Sequence, residues 1–352
     1  MQAYLDSAST TAVTKSVVES MLPFFNEKFG NPSSMHRLGE VAADALERSR
    51  EVVAKKINAN ADQIIFTSCG SEGNNFIIKQ VPRNKKLLMS AVEHKSLLDP
   101  GKECNYKLLP VDKECFVKEY EPQLGTGLIS VIHVNNEVGA IQDIKYWNDV
   151  ARDCKALFHT DIVQSFCKLD FNVKKIPVDF LTISAHKIHG PKGVGAVFVN
   201  DPTKAKSLIA GSQEFGLRAG TQNVPGIAGF AKAIQNYSPI SSKVLKEFER
   251  FRALGVVNTP KKSVHGLLNI SFGVLSMDML QHLSHKKVFV SSGSACSARE
   301  QKPSHVLLAM NLPEERIKSA LRLSISQLTS VQELKYAYSV FEKVLYSLKK
   351  IS

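Results

Sequence analysis

The sequence lacks the features of a secreted or membrane-spanning protein. Its first residues, MQAYLDSAST, contain no basic stretch followed by an apolar one, which argues against a secretory signal. Its apolar runs, such as residues 127–134, are far shorter than the roughly 20 residues that a helix needs to cross a bilayer. We therefore expect a soluble cytoplasmic protein with no membrane partner.

The chain also lacks paired cysteines. Its six cysteines, at positions 69, 104, 115, 154, 167 and 296, include no Cys-x-x-Cys spacing. Structural zinc and iron–sulfur sites commonly use such pairs, so the spacing argues against both. In a reducing cytoplasm we expect free thiols, most of them inert packed side chains.

The basic residues show no nucleic-acid-binding motif. The chain has 45 Lys and Arg against 33 Asp and Glu, a net charge of +12. These residues are scattered, with small groups at 83–86 and 261–262. The excess fits either a solvated basic surface or an acidic partner, protein or RNA. Without an RNA-binding motif, we do not expect direct nucleic-acid binding.

Short apolar runs alternate with helical patterns through the first two thirds of the chain. This alternation predicts an α/β fold with a mainly parallel sheet. A helix is predicted over residues 37–57, a strand over 64–67 and a second helix from about Ser71. Further strands are predicted over 87–92, 128–134, 158–163, 180–184 and 194–199.

The composition changes after about Tyr237, where the sequence reads SPISSK. At 352 residues the chain is long for one core, so we predict two domains. Residues 16–240 would form the large domain, and residues 1–15 and 241–352 a smaller α+β domain. In the latter we predict strands over 267–272, 288–291 and 321–326, a helix over 278–284, and a final helix whose capping box is Ser330 and Glu333.

One lysine lies where a strand enters a glycine-rich loop. The segment ISAHKIHGPKGVG places Lys187 beside His186 and among glycines. A lysine that forms a Schiff base must be held and partly desolvated, and glycines let a flat ring approach closely. An ordinary exposed loop is the alternative. His186 and His189 have a spacing that resembles metal ligation, but no third ligand is evident and we predict no metal.

Three other predicted strands end in residues suited to a ligand. In TSCGSEGNN, Gly70 and Ser71 lie at a helix N-terminus, where free N–H groups attract a phosphate; an ordinary helix cap is the alternative. Asp161 could pair with a protonated pyridine nitrogen, and Gln164 and Asn136 could bind the ring's phenolic oxygen. A buried polar residue that caps a loop is the alternative for each. Open α/β sheets bind ligands at this edge.

Beyond these single features, long segments of the chain resemble a known family. They are YLDSASTT, FGNPSSMHRLG, VEHKSLLD, HVNNEVG, SAHKIHGPKG, GLRAGTQNV and SSGSACS, and they run almost from end to end. The chain resembles the cysteine desulfurases, in the class V aminotransferase group of fold-type I pyridoxal-phosphate enzymes. The resemblance implies a large domain with a seven-stranded, mainly parallel sheet and pyridoxal 5'-phosphate as cofactor.

The resemblance also implies a role for each matching residue. Lys187 would bind the cofactor as a Schiff base, and His94 would stack on its ring and move protons. The other implied contacts are Asp161 with the ring nitrogen, Gln164 and Asn136 with the phenolic oxygen, Gly70, Ser71, Ser184 and His186 with the phosphate, and Arg322, assisted by Asn31, with the substrate carboxylate. Thr221 matches a residue that reaches the phosphate site of the neighbouring subunit, which implies a homodimer.

Cys296 lies among small polar residues in SSGSACSAREQKPSHVL. A packed, inert thiol is the ordinary interpretation of a lone cysteine, but this segment resembles the mobile catalytic loop of the desulfurases with the longer loop. The resemblance implies that L-cysteine is converted to L-alanine and that its sulfur becomes a persulfide on Cys296. An acceptor protein would then use that sulfur for iron–sulfur clusters or tRNA thiolation.

The sequence departs from the family at a few positions. Phe215, in AGSQEFG, stands where relatives have an arginine near the cofactor phosphate or dimer interface, Gln327 replaces a second arginine, and Val163 is bulkier than usual. Two alternatives therefore stay open: a selenocysteine lyase, and a catalytically weakened sulfur-relay scaffold. Aminotransfer needs no thiol, so Cys296 argues against it.

Overall fold

The computed structural model describes residues 1–122, 125–292 and 303–350. Their strands are β1 (Ala3–Tyr4), β2 (Ile64–Thr67), β3 (Lys86–Ser90), β4 (Tyr106–Leu109), β5 (Thr126–Ser130), β6 (Leu157–Asp161), β7 (Phe180–Ser184), β8 (Gly195–Val199), β9 (Val256–Val257), β10 (Leu267–Ser271), β11 (Val288–Phe289) and β12 (Ala320–Ser324). Their α-helices are α1 (Lys15–Met21), α2 (Pro23–Asn26), α3 (Arg37–Ile57), α4 (Gly70–Gln80), α5 (Lys95–Gly101), α6 (Ile144–Asp153), α7 (Val224–Gln235), α8 (Ser242–Glu249), α9 (Ser276–His285), α10 (His305–Ala309), α11 (Glu314–Lys318) and α12 (Val331–Lys349).

The main sheet has seven strands in the order β2-β8-β7-β6-β5-β3-β4. Only β8 runs against its neighbours, so β2 points the same way as β7 and the sheet is mainly parallel. Strands β5, β7 and β8 are buried along their whole length, as expected for a sheet covered by helices on both faces. The predicted α/β class is confirmed.

Two smaller sheets lie in the rest of the chain. Strands β12, β10 and β9 form an antiparallel sheet, and β1 pairs in parallel with β11. One hydrophobic cluster holds buried residues between Val17 and Ala233. Another combines Ala3 and Leu5 with residues of the last third of the chain, including Phe248 and Phe341.

The predicted boundary between two domains near residue 240 stays a prediction. The two hydrophobic clusters lie on opposite sides of this boundary, but a further cluster contains residues from both sides. That cluster packs Val92 and Ile132, which are near the main sheet, against Val306 and Leu307 of α10. The helix that follows Pro303 is therefore attached directly to the body of the main sheet.

Local signals explain the bounds of the longest helices. Helix α3 spans the predicted residues and ends at Asn58, which takes the left-handed conformation (φ 60°) that asparagine tolerates. Helix α12 starts with the predicted capping box, in which Ser330 and Glu333 each bind the other's backbone N–H. None of the helices within the described ranges is long and apolar enough to cross a membrane.

Candidate functional site

A cavity of about 280 Å³ opens where β2, β5, β6 and β7 end. Ten of the predicted site residues line it: Gly70, Ser71, His94, Asn136, Asp161, Gln164, Ser184, His186, Lys187 and Arg322. Asn31 and Thr221 are exposed and do not line it, and Cys296 lies outside the described residues. The cavity lies at the carboxyl edge of the parallel strands, where open α/β sheets bind ligands.

The side chain of Lys187 lines this cavity. The residue ends a single helical turn after β7, and its Nζ donates to the carbonyls of Ala8 at 2.5 Å and Ser9 at 2.6 Å. Burial lowers the pKa of Lys187 to about 7, and the positive charges of Arg322 and Lys168 add to the effect. A large fraction of the amine is therefore neutral, and nucleophilic, near neutral pH.

Asp161 is held as a hydrogen-bond acceptor at the end of β6. Its Oδ2 accepts from Asn74 Nδ2 at 2.9 Å, and its Oδ1 accepts from the Val163 N–H at 2.9 Å. Burial raises the pKa of this carboxyl, while the Asn74 hydrogen bond opposes the rise. A carboxyl oriented in this way can stabilise a proton on a heterocyclic nitrogen. Sequence reasoning missed Asn74, although TSCGSEGNN contains it.

The imidazole of His94 is oriented by the start of helix α5. Its Nδ1 accepts the Ser96 N–H at 3.2 Å, and Ser96 Oγ lies 2.7 Å from the same nitrogen. Ser96 Oγ also accepts from Asn74, so His94 and Asp161 are tied to one side-chain network. Burial lowers the pKa of His94, which favours the neutral ring at pH 7.

The cavity wall around the start of α4 suits an anion. Gly70 begins the 11-residue helix α4, and a Cβ at this position would lie 3.0 Å from Val163 Cγ2. Ser184 Oγ is buried and has no hydrogen-bond partner among the described residues, so a donor hydroxyl is left available. His186 follows two residues later, with Nδ1 3.1 Å from Thr10 Oγ1. Helix N–H groups and an unpaired hydroxyl together form an acceptable phosphate site.

Arg322 supplies a buried positive charge from the middle of β12. Its Nη2 donates to Asp6 Oδ1 at 2.8 Å and Ser9 Oγ at 2.5 Å, and its Nη1 donates to the Asn136 carbonyl at 2.8 Å. These bonds orient the guanidinium in the cavity wall. An arginine held in this way matches the planar geometry of a carboxylate.

These residues fit pyridoxal phosphate. The buried amine of Lys187 suits its aldehyde, Asp161 suits its ring nitrogen, and the unpartnered Ser184 hydroxyl beside helix α4 suits its phosphate. No cluster of three His, Cys, Asp or Glu in the described parts of the chain could hold a metal ion.

The three residues that depart from the family pattern lie in different environments. Val163 lines the cavity, whereas Phe215 and Gln327 do not. The Phe215 ring is 54% exposed and lies 5.0 Å from the guanidinium carbon of Arg50. Gln327 Oε1 accepts the Ser238 N–H at 2.6 Å. Of the three departures, only Val163 can act directly on a ligand in this cavity.

Comparisons with known proteins agree with this site. The model of the aminotransferase class-V family matches residues 3–336. The cysteine desulfurase IscS of Dictyoglomus turgidum is 40% identical over 381 aligned positions, which cover 100% of this chain and 96% of the relative. The IscS of Methanosarcina thermophila is 34% identical, over 99% of this chain and 93% of the relative.

Solved structures agree as well. A NifS-like protein superposes with a TM-score of 0.89 at 33% identity, over 99% of this chain and 100% of that one. SspA in complex with cysteine superposes with a TM-score of 0.85 at 33% identity, over 93% and 100%. The predicted fold-type I architecture is confirmed. The chain therefore belongs to the class-V aminotransferase family, in its cysteine desulfurase group, whose members depend on pyridoxal phosphate.

Proposed function

We propose that the protein removes sulfur from L-cysteine, producing L-alanine and a persulfide on Cys296. One observation carries the proposal: a lysine amine with a pKa of about 7 shares one cavity with a fixed acid, Asp161, and a fixed arginine, Arg322. The amine suits a Schiff base, the acid suits a pyridine ring and the arginine suits an amino-acid carboxylate. SspA, a structural neighbour, is described in complex with cysteine.

Pyridoxal phosphate, when bound, supplies an electron sink for the carbon atoms of the substrate. Asp161 would keep a proton on the ring nitrogen, and Asn74 would keep Asp161 in position. Gly70, Ser71, Ser184 and His186 would hold the phosphate. Gln164 and Asn136 would bind the phenolic oxygen, and Val163 would pack on the face opposite His94.

Two groups would move protons at the substrate. Lys187 Nζ, once displaced, would take the proton from Cα, because its lowered pKa makes the free amine a base near pH 7. His94, kept neutral by burial, would exchange protons on the other side of the ring. Arg322, with Asn31 assisting, would fix the carboxylate so that Cα faces Lys187.

Cys296 would act as the nucleophile on the substrate sulfur. The thiolate forms an S–S bond while the Cβ–S bond breaks, and the bonding pair stays with the substrate carbon. A proton on that carbon then completes L-alanine. The persulfide would pass its outer sulfur to an acceptor protein, for iron–sulfur cluster assembly or tRNA thiolation in the cytoplasm.

A homodimer is part of the proposal. Thr221 is exposed and does not line the cavity of its own chain, which fits a residue that completes the phosphate site of a neighbouring subunit. Two alternative functions predict different results. A selenocysteine lyase would prefer selenocysteine to cysteine, and a sulfur-relay scaffold would not release alanine.

The test uses purified protein with pyridoxal phosphate, L-cysteine and a thiol reductant. We expect a visible absorption band and equal amounts of sulfide and alanine. Cys296→Ser should keep the band and lose both products, whereas Cys104→Ser, which changes a thiol that does not line the cavity, should lose neither. A coloured protein that forms neither product would contradict the proposed reaction.

A further inference from the structure

A third imidazole lines the cavity beside His94 and His186. His305 is the first residue of helix α10, close after the segment that contains Cys296. Its Nε2 lies 3.0 Å from the backbone carbonyl oxygen of Glu93. A carbonyl oxygen can only accept, so the proton of the neutral ring must be on Nε2. Nδ1 is therefore an acceptor with a free lone pair.

No group in the described parts of the chain uses that lone pair: His305 Nδ1 is buried and has no hydrogen-bond partner there. The other two imidazoles differ, because His94 Nδ1 is bound by Ser96 and His186 Nδ1 lies beside Thr10 Oγ1. A buried acceptor without a donor is costly, so a donor that arrives with the ligand would be favoured.

The ring is fixed from two sides. Ser304 Oγ donates to Glu137 Oε2 at 2.5 Å and accepts the Leu307 N–H at 3.1 Å, which anchors the start of α10. The Glu93 carboxyl oxygen Oε1 accepts the Ile132 N–H at 2.6 Å, which anchors the residue whose carbonyl receives His305. The imidazole is thus held between the start of α10 and the loop that follows β3.

We propose that His305 Nδ1 accepts a hydrogen bond from the thiol of L-cysteine and so positions the substrate sulfur in the site. The inference rests on the proposed function and deepens it by naming a residue that orients the substrate. The S–H group is a weak donor, and an imidazole nitrogen with a free lone pair is a suitable acceptor for it.

Two substitutions of His305 test the roles of its two ring nitrogens separately. His305→Gln places an amide near the position of Nε2, so it keeps a donor to the Glu93 carbonyl and removes the Nδ1 acceptor. His305→Asn places an amide oxygen near the position of Nδ1 and gives up the contact with Glu93. Both are made in holoenzyme that carries Cys296→Ala, so that ligands bind without turnover.

The measurement is the dissociation constant of L-cysteine and of L-alanine, followed through the visible spectrum of the holoenzyme. We expect His305→Gln to weaken cysteine binding about three- to tenfold, as for one modest hydrogen bond, and to leave alanine binding unchanged. His305→Asn should restore part of the difference. If both ligands weaken equally, or if neither changes, the proposal is overturned.

A second ligand pair protects the test. In the Cys296→Ala holoenzyme with His305 intact, L-cysteine should bind more tightly than S-methyl-L-cysteine, which has the sulfur but no donor; equal binding contradicts the proposal. Failure of the proposed function would look different, since the unaltered chain would then form no alanine from cysteine.

Discussion

At the scale of single residues, the environment of Lys187 makes a pH-dependent prediction. Its amine attacks an aldehyde only when neutral, and burial with the charges of Arg322 and Lys168 lowers its pKa from 10.5 to about 7. We expect the rate at which the cofactor-free protein combines with pyridoxal phosphate to rise with pH through about 7 and then level off. The rate is followed by visible absorbance over a series of buffers.

A neutral substitution beside Lys187 sharpens this test. Lys168→Met removes one of the positive charges that lower the pKa of Lys187, so the midpoint should move to higher pH. Lys174→Met removes an exposed lysine and should leave the midpoint where it is. A midpoint close to that of an ordinary lysine would show that the amine is solvated rather than buried.

The cavity also shows what residue patterns alone can predict. Residues at strand ends, such as Lys187 and Asp161, could be found because the chain positions them by a regular rule. Ser9 and Asn74 could not, because their roles depend on contacts between distant segments. The backbone carbonyl of Ser9 accepts from Lys187, and the Asn74 side chain donates to Asp161. Such partners are set by packing, which has no local sequence signal.

At the scale of elements, the capping box of α12 carries a stability prediction. Ser330 Oγ accepts the Glu333 N–H at 3.2 Å, and Glu333 Oε2 accepts the Ser330 N–H at 2.7 Å. Ser330→Ala should lower the free energy of unfolding by about 1 kcal/mol. Ser347→Ala, in the last turn of the same helix, removes a hydroxyl that only donates to the Lys343 carbonyl and should change it far less. Urea denaturation of both variants measures the difference, and equal losses would contradict a capping role.

Sequence patterns predicted elements well where burial repeats regularly. Strands β2 and β7 and helix α3 have the predicted bounds, because each is apolar along its length or along one face. Strand β4 was not predicted: it pairs at the edge of the sheet, and three of its four residues are exposed. An edge strand needs backbone pairing more than apolar side chains, so its sequence carries little signal.

At the scale of the whole molecule, strand β12 and the main sheet both contribute to the site. Arg322 of β12 donates to the carbonyl of Asn136 and to Asp6 near the N-terminus, so three distant parts of the chain meet at one guanidinium. The resemblance implied that Arg322 and Asn136 share one site, but not that Asp6 binds the guanidinium, and composition and periodicity predicted neither. Long-range register depends on how complete elements pack, and no local spacing specifies it.

The proposed homodimer predicts that two impaired variants restore activity to each other in a mixed dimer. If Thr221 serves the site of the neighbouring subunit, a Lys187→Ala chain and a Thr221→Val chain are both impaired as homodimers. In a mixed dimer, the Thr221→Val chain keeps its own Lys187 and receives an intact Thr221 from its partner. Each mixed dimer should therefore contain one complete site and recover alanine formation when the two variants are unfolded and refolded together.

The control for this complementation combines an unaltered chain with a chain that carries both substitutions. A Lys187→Ala, Thr221→Val chain refolded with unaltered protein leaves no mixed site complete, because the only chain with Lys187 receives the altered residue 221. Its mixed dimers should thus be no more active than the Thr221→Val homodimer. If instead Thr221 serves its own chain, this second mixture keeps one complete site per mixed dimer and the first mixture keeps none, so the two experiments exchange their outcomes.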